Sequence, residues 1–245
     1  KGSPVERRKF INIDISQIKP KYKYLLNKYK KITNERNMIL KNYHANYKNK
    51  DIICIWNDYL VNTGTEISIY RNEYINKLKL YAADIYASIS GNKEKLDIFY
   101  YSNIGFITER EDIKKAFYEK INKNSNNEIL KGTSLYGPHK DDLIIKINGK
   151  ELKYFGSQGQ QRSAILALKL AEIEIIKEET GEYPILLLDD VLSELDNKRK
   201  SCLINHIEGI QTIITCTDDH EISKLTKDFN KKIFYINQGR IDTLN

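Results

Sequence analysis

Two neighbouring carboxylates, Asp189 and Asp190, end an unbroken apolar run of Ile185, Leu186, Leu187 and Leu188. Pro184 stands just ahead, and proline suits the start of a strand because it has no N–H to give to a ladder. A short apolar run without alternation is the pattern of a strand covered on both faces, as in a parallel α/β sheet. A carboxylate buried at the end of such a strand is costly unless a cation neutralises it. Open α/β sheets place their ligands at that end. A Mg2+ carried in by a nucleotide is a natural neutraliser, since it favours one or two carboxylates plus phosphate oxygens. The competing reading is a strand that ends in a polar turn.

A second stretch upstream offers complementary chemistry. Ser157 is followed three residues later by Gln160, a capping-box spacing that predicts a helix start. The helix runs through Ala164, Ile165, Leu168, Ala171 and Ile175, and Gly181 stands beyond its end as a stop. A helix N-terminus with Gly159 in its first turn and a hydroxyl beside it suits an anion, because its N–H groups are unpaired and aligned with the helix dipole. An ordinary capped helix is the alternative.

Together the two stretches resemble the second half of an ABC-type ATPase head. Ser157-Gln158-Gly159-Gln160 matches its signature motif, and the run from Ile185 to Asp189 matches its Walker B strand. Asp190 stands where such heads carry a catalytic glutamate, and Ser193-Glu194-Leu195-Asp196 matches the D-loop. Two further stretches, Gly2-Ser3-Pro4-Val5-Glu6-Arg7-Arg8 and Tyr136-Gly137-Pro138-His139-Lys140-Asp141-Asp142-Leu143, narrow the resemblance to the RecF family of bacterial recombination-mediator ATPases. With Gln161 and Arg162 after the signature and Val191 after the carboxylates, the resemblance covers essentially the whole chain.

Composition sets the outer bounds. The chain has 245 residues, 40% hydrophobic and 30% charged, with a net charge of +7. That is enough chain for one large domain or two modest ones. No apolar run approaches the ~20 residues that span a bilayer, and no secretory signal is evident. Cys54, Cys202 and Cys216 are scattered, odd in number and without zinc spacing, so a reducing cytoplasm is the expected setting. Residue 1 is Lys, and no Gly-x-x-x-x-Gly-Lys-Ser/Thr loop occurs. The expectation is therefore a RecF-like chain lacking its front portion, and with it the phosphate-cradling loop.

The elements that position these residues are then read in order. Phe10, Ile11, Ile13 and Ile15 suggest a short strand or extended link. Tyr22, Leu25, Tyr29, Ile32, Ile39 and Tyr43 lie at helical spacing interrupted by Arg36. A second helix carries Ile52, Trp56, Tyr59 and Leu60 and stops near Gly64. A third carries Ile67, Tyr70, Tyr74, Leu78, Tyr81 and Ile85 and stops near Gly91-Asn92. Three such helices predict an antiparallel helical arm. Leu96 to Tyr101 reads as a strand, Ile104 to Lys123 as mostly helix, and residues 123–127 as a loop. Leu143 to Ile147 and Glu151 to Phe155 read as a hairpin across Asn148-Gly149. Asp196 caps a helix from Asn197 to Ile207, and Gln211 to Cys216 is a second core strand. Residues 233–241 form a closing hairpin.

These elements read as α/β, and the resemblance implies the C-terminal half of an ABC-type P-loop ATPase head with an inserted helical arm. The divisions are residues 1–15 for the end of an N-terminal lobe, 16–127 for the arm and 128–245 for the C-terminal ATPase part. Between Ser16 and Lys50, nine lysines and Arg36 face Glu35 alone. Lys19, Lys21, Lys23, Lys28, Lys30, Lys31 and Arg36 are candidates to track a nucleic-acid backbone, against a solvated lysine-rich face. His139 reads as a structural hydrogen-bonder.

The resemblance implies ATP and Mg2+ as cofactors, with Asp189 holding the metal and Asp190 orienting the attacking water. It implies that Ser157, Gln158, Gly159, Gln160 and Arg162 act in trans on a second copy's nucleotide, with Ser193, Leu195 and Asp196 at the seam. ATP would then assemble a homodimer on DNA and slow hydrolysis would release it. Thr217 holds the place of the usual switch histidine, and His220 lies three residues on. The implied setting is DNA replication, DNA repair and the SOS response to DNA damage, with a RecR-like mediator as partner. Two alternatives stand beside it: a non-enzymatic module that binds DNA and a partner, and another head of SMC-like or Rad type.

Overall fold

A computed structural model describes residues 2–43, 49–105, 107–217, 226 and 229–243. The chain folds as two compact units, Lys1–Gly181 and Glu182–Asn245.

The first unit is built on helices. α1 (Pro4–Ile18) begins at a Ser3/Glu6 capping box with Pro4 in its first turn. It replaces the strand expected around Phe10–Ile15. The local start signal Ser-Pro-x-Glu outweighs the apolar alternation, and Ile11 and Ile15, four residues apart, share the buried face. α2 (Pro20–Lys41) buries Tyr22, Leu25, Tyr29 and Ile32, as the spacing predicts, but buries Leu40 in place of Ile39, which is half-buried, and Tyr43 is half-buried beyond its end.

α3 (Asn49–Ser90) is one continuous helix of 42 residues. The stop expected at Gly64 does not occur. Gly64 is instead a notch: a Cβ there would lie 2.6 Å from the Phe117 ring, 3.0 Å from Tyr29 and 3.2 Å from Pro138. A residue without a side chain is required for close packing, not for termination. α3 does end at Gly91 and Asn92, both at positive φ.

β1 (Leu96–Tyr101) follows, then α4 (Arg110–Lys123), which buries Ile113, Phe117 and Ile121. Residues 123–127, expected as a loop, instead span the end of α4, the shared cap Asn124 and the first turn of α5 (Ser125–Lys131), which closes on left-handed Gly132. β2 (Asp142–Ile147) pairs antiparallel with β1, and β3 (Lys150–Glu151) pairs with β2 across Asn148 and Gly149, both at positive φ. The hairpin is shorter than expected, because residues from Leu152 turn into the one-turn helix α6 (Leu152–Phe155). α7 (Gln158–Thr180) packs on α3 and ends at left-handed Gly181. Its buried stripe includes Ala164, Leu168, Ala171 and Ile175, whereas Ile165 is exposed.

Two buried polar networks hold this unit together. Arg36, which interrupts the α2 seam, is 1% exposed and donates to Glu128 Oε2 at 2.5 Å, Ser134 Oγ at 2.8 Å and Asn57 Oδ1 at 2.8 Å. Glu128 also accepts from the Leu135 N–H at 2.7 Å. From α3, Arg71 donates to the Pro138 carbonyl at 2.7 Å, to Tyr22 Oη at 3.0 Å and to Asn12 Oδ1 at 3.0 Å, and pairs with Asp141 at 3.3 Å. Asp141 is fully buried and also accepts from Tyr100 and from the Asn103 N–H. Burial pushes its carboxyl above the ordinary value while Arg71 pulls it back. Each ion is multiply bonded, the condition under which a buried pair is tolerated.

The second unit contains β4 (Leu186–Asp189) parallel to β5 (Thr212–Thr215), α8 (Asn197–His206) between them, and the hairpin of β6 (Phe234–Asn237) and β7 (Arg240–Thr243). Asp196 caps α8 by accepting from the Arg199 N–H at 3.0 Å. β4 is not covered on both faces. Ile185 and Leu187 are 61% and 69% exposed, and Ile213 beside them is 57% exposed. Along both strands half-buried residues alternate with exposed ones, so one face of the ladder is partly covered and the other open, and the apolar run exceeds what this unit encloses.

Candidate functional site

The carboxylate pair is positioned by the parallel ladder. Asp189 is in register with Thr215 at the C-terminal ends of β4 and β5. The Thr215 hydroxyl donates to Asp189 Oδ1 at 2.6 Å and accepts from the Asp190 N–H at 3.0 Å. Asp190 then turns into left-handed backbone at φ 50°, and its carbonyl accepts from Ser193 Oγ at 2.8 Å. A non-glycine residue held there carries about 1–3 kcal/mol of local strain. The strained turn carries the chain from strand to the D-loop residues, with Leu195 half-buried and Ser193 and Asp196 exposed.

Asp189 and Asp190 are both exposed, which corrects the expectation of a carboxylate buried at the end of a dry strand. The donor set nevertheless suits a hard cation with phosphate. Thr215 engages one carboxylate oxygen only, and Mg2+ requires few protein oxygens when phosphates and waters supply the rest. No cluster of three or more His, Cys, Asp or Glu that could hold a metal alone exists among the described residues. Thr215 was not singled out from sequence; its signal is the strand register, invisible until β4 and β5 pair. Thr217 is exposed in the bend after β5, and His220 lies outside the described residues.

The helix tip matches its sequence in detail. Ser157 Oγ accepts from the Gln160 N–H at 3.2 Å, and Gln160 Oε1 accepts from the Ser157 N–H at 2.9 Å. Gln160 Nε2 reaches Glu94 at 2.7 Å, and Gln161 donates to the Gly156 carbonyl at 2.8 Å. Ser157, Gln158 and Arg162 are exposed, and Gly159 is half-buried. Cap and dipole together leave an anion-ready surface at the start of a 23-residue helix.

The cationic candidates separate on α2. Lys21, Lys23, Lys28, Lys30 and Lys31 are exposed, whereas Lys19 is half-buried and paired with Glu179. Arg36 leaves the set: its guanidinium is locked to Glu128 inside the unit, because its spacing puts it on the apolar seam. His139 is structural, as read. Its Nε2 lies 3.0 Å from the Ser134 carbonyl and its Nδ1 2.9 Å from Tyr29 Oη. A carbonyl can only accept, so Nε2 carries the proton and Nδ1 accepts. Burial pushes the imidazole down to about 4.

The two amino-terminal and central motifs meet here. Arg7 grips Asp142 with two bonds, of 2.7 and 2.6 Å, and Arg8 donates to the Asp141 carbonyl at 2.7 Å. Sequence alone did not pair them, since Arg7 and Asp142 stand 135 positions apart.

No family model matches the chain. Among curated relatives, the DNA replication and repair protein RecF of Alkaliphilus oremlandii is 42% identical over 99% of this chain and 66% of its own length. RecF of Lactobacillus johnsonii is 44% identical over 99% and 66%, and RecF of Clostridium acetobutylicum 41% over 98% and 65%. The chain belongs to the RecF family. That decides against the SMC-like alternative. The solved structures of the recombination mediator proteins RecF-ATP and RecF-ATPrS in the RecFOR pathway superpose on it with a TM-score of 0.86. They are 36% identical over 100% of this chain and 64% of theirs. Its fold is therefore the α/β ABC-type head with a helical arm that the motifs implied. This RecF-family chain spans just under two thirds of the length of the curated relatives it matches. Among its described residues, no helix is long and apolar enough to cross a membrane.

Proposed function

We propose that the chain is the arm-bearing part of an ATP-dependent DNA-binding protein of recombinational repair and replication restart, whose nucleotide site closes between two copies. The carrying observation is the Thr215 clamp, which presents Asp189 and Asp190 side by side at the ends of two parallel strands. The ATP-bound RecF neighbours support the nucleotide assignment. Residues 16–127 act as the arm, residues 1–15 close the N-terminal lobe and residues 128–245 carry the C-terminal ATPase part.

Asp189 would hold Mg2+ through water, and the metal would neutralise phosphate charge. Thr215 keeps the Asp189 carboxylate from rotating away. Asp190 orients and accepts the proton of the attacking water; its short side chain on a strained backbone favours slow turnover, which suits a switch. Ser157 Oγ and the N–H groups near Gly159, with Gln158, Gln160 and Arg162 around them, bind the terminal phosphate held by the second copy. Leu195 and Asp196 lie at the seam, and Thr217 stands at the switch position. The exposed lysines of α2 contact the DNA backbone. Assembly on ATP and release on hydrolysis follow. A RecR-like mediator is the protein partner, the cytoplasm the location, and the response to DNA damage the setting.

The test uses a full-length protein of the family carrying the residues described here. Asp190→Asn should abolish ATP turnover while ATP-dependent dimerisation, followed by light scattering, persists. Turnover unchanged by Asp190→Asn removes Asp190 from catalysis; dimerisation indifferent to ATP removes the clamp.

A further inference from the structure

Between α1 and α2 lies a cleft of about 920 Å3. Its floor is formed by Tyr29, Arg71, Pro138 and His139, so it opens directly onto the buried hub where the two family motifs meet. Its cationic residues at the mouth are Arg8 and Lys9 from α1 and Lys23 and Lys30 from α2. No aspartate or glutamate is among the described residues that line it.

The charge is uncompensated for a structural reason. Asp142 is taken by Arg7 in a two-bond grip, and Asp141 by Arg71 and Tyr100. Arg8, between these pairs, receives only the neutral Asp141 carbonyl, and no carboxylate of a described residue lies within ion-pair reach. Burial and then the neighbouring Arg71 hold its guanidinium below the ordinary value, against a partial pull upward from Asp142 and Asp141. His139 adds no charge near neutrality, because both ring nitrogens are engaged in its neutral form. A half-buried guanidinium in a cleft lined by three lysines and no acid, with Asp141 and Asp142 nearby already paired to other arginines, is an anion-receiving arrangement. The cleft's amides, Asn12, Asn27 and Asn34, add neutral hydrogen-bonding partners beside it.

We propose that this cleft is a phosphate-binding site, organised by Arg8 and completed by Lys9, Lys23 and Lys30, that seats the backbone of a nucleic-acid strand against the arm's hub. The proposal rests on the reading of α2 as a nucleic-acid surface and refines it. Of the exposed α2 lysines, Lys23 and Lys30 line the cleft and Lys21 and Lys31 do not. The same chemistry could be met by a free polyphosphate, and the experiment separates the two sources.

Binding of a labelled oligothymidylate to the 245-residue chain is measured across a salt series for Lys23→Gln/Lys30→Gln, for Lys21→Gln/Lys31→Gln and for Arg8→Gln. In parallel, inorganic tripolyphosphate is tested for raising the unfolding temperature. The two double variants alter exposed side chains only, so circular dichroism should show them folded whatever becomes of Arg8→Gln. The expected result is a salt slope shallower by about 0.7 for each cleft lysine, hence affinity about 25-fold weaker near 0.1 M salt, with a clearly smaller loss for the outer pair. If oligonucleotide binding ignores both pairs but tripolyphosphate stabilises the wild type and not the cleft variants, the site stands with free phosphate as its ligand, and the DNA reading of the arm fails. If both lysine pairs lose equally, the DNA reading stands and the cleft is overturned. If neither probe distinguishes the cleft variants from wild type, the cleft is likewise overturned.

Discussion

Replacing Arg36 by methionine tests together the core of the arm and the reassignment of the one arginine among the nucleic-acid candidates. The guanidinium is 1% exposed and its partner Glu128 is 0% exposed. Methionine fills similar space but leaves a buried carboxylate with only the Leu135 N–H for a donor, and removing one member of a buried pair costs about 3–5 kcal/mol. Glu128→Leu should cost about as much, because it strands the guanidinium. The double variant should lose far less than the sum, since an apolar pair of similar volume replaces a desolvated ionic one. Denaturant unfolding with slopes compared across the four proteins measures the cycle. Nucleic-acid binding by the folded Arg36→Met protein should keep its full salt slope, because the side chain never meets a phosphate. The reasoning is refuted if Arg36→Met stays within about 0.5 kcal/mol of wild type while its salt slope drops by about 0.7–0.9.

Three other outcomes follow from local geometry. Asp14, pushed up to about 6, and Glu172, pushed up to about 8, face each other with Tyr74 and Lys169 in contact, burial being the first cause for both. Their folded values lie above the unfolded ones, so stability should fall as pH rises from about 4.5 to about 8; Glu172→Gln should flatten most of that fall in a melting-temperature series. Gly64→Ala should destabilise by about 1–3 kcal/mol through overpacking against Phe117, outweighing the gain of up to ~1 kcal/mol that alanine brings to a helix interior; a higher melting temperature contradicts the notch. Thr215→Val should change stability by no more than about 1 kcal/mol, because both bonds it removes are exposed, yet lower ATP turnover in a full-length protein of the family; unaltered turnover shows that the clamp does not position Asp189.

Much of the candidate site was legible because its signals are local. Ser157, Gln160 and Gly181 carry the start and stop of α7 within their own turns, and Asp196 does the same for α8. Pro184 and the run to Asp189 marked β4. Most of what escaped depends on long-range packing, α1 being the exception. α1 was read as extended from four apolar residues, although Ser3, Pro4 and Glu6 spelled a helix start. Gly64 looked like a stop because a tight contact with α4 and Pro138 cannot be seen from neighbours in sequence. Arg36 looked like one more surface cation until Glu128 and Ser134 closed around it. Thr215 became visible only when two strands paired, and the exposed faces of Ile185 and Leu187 only when their covering could be counted.

The unbroken course of α3 carries a mechanical corollary. At 1.5 Å per residue its 42 residues make a rod of about 63 Å. Gly64, the one position that might have served as a joint, is wedged by three neighbours and cannot act as an elbow. A displacement imposed near Trp56 would therefore be carried by one rigid rod past Arg71 toward the strand that begins at Leu96.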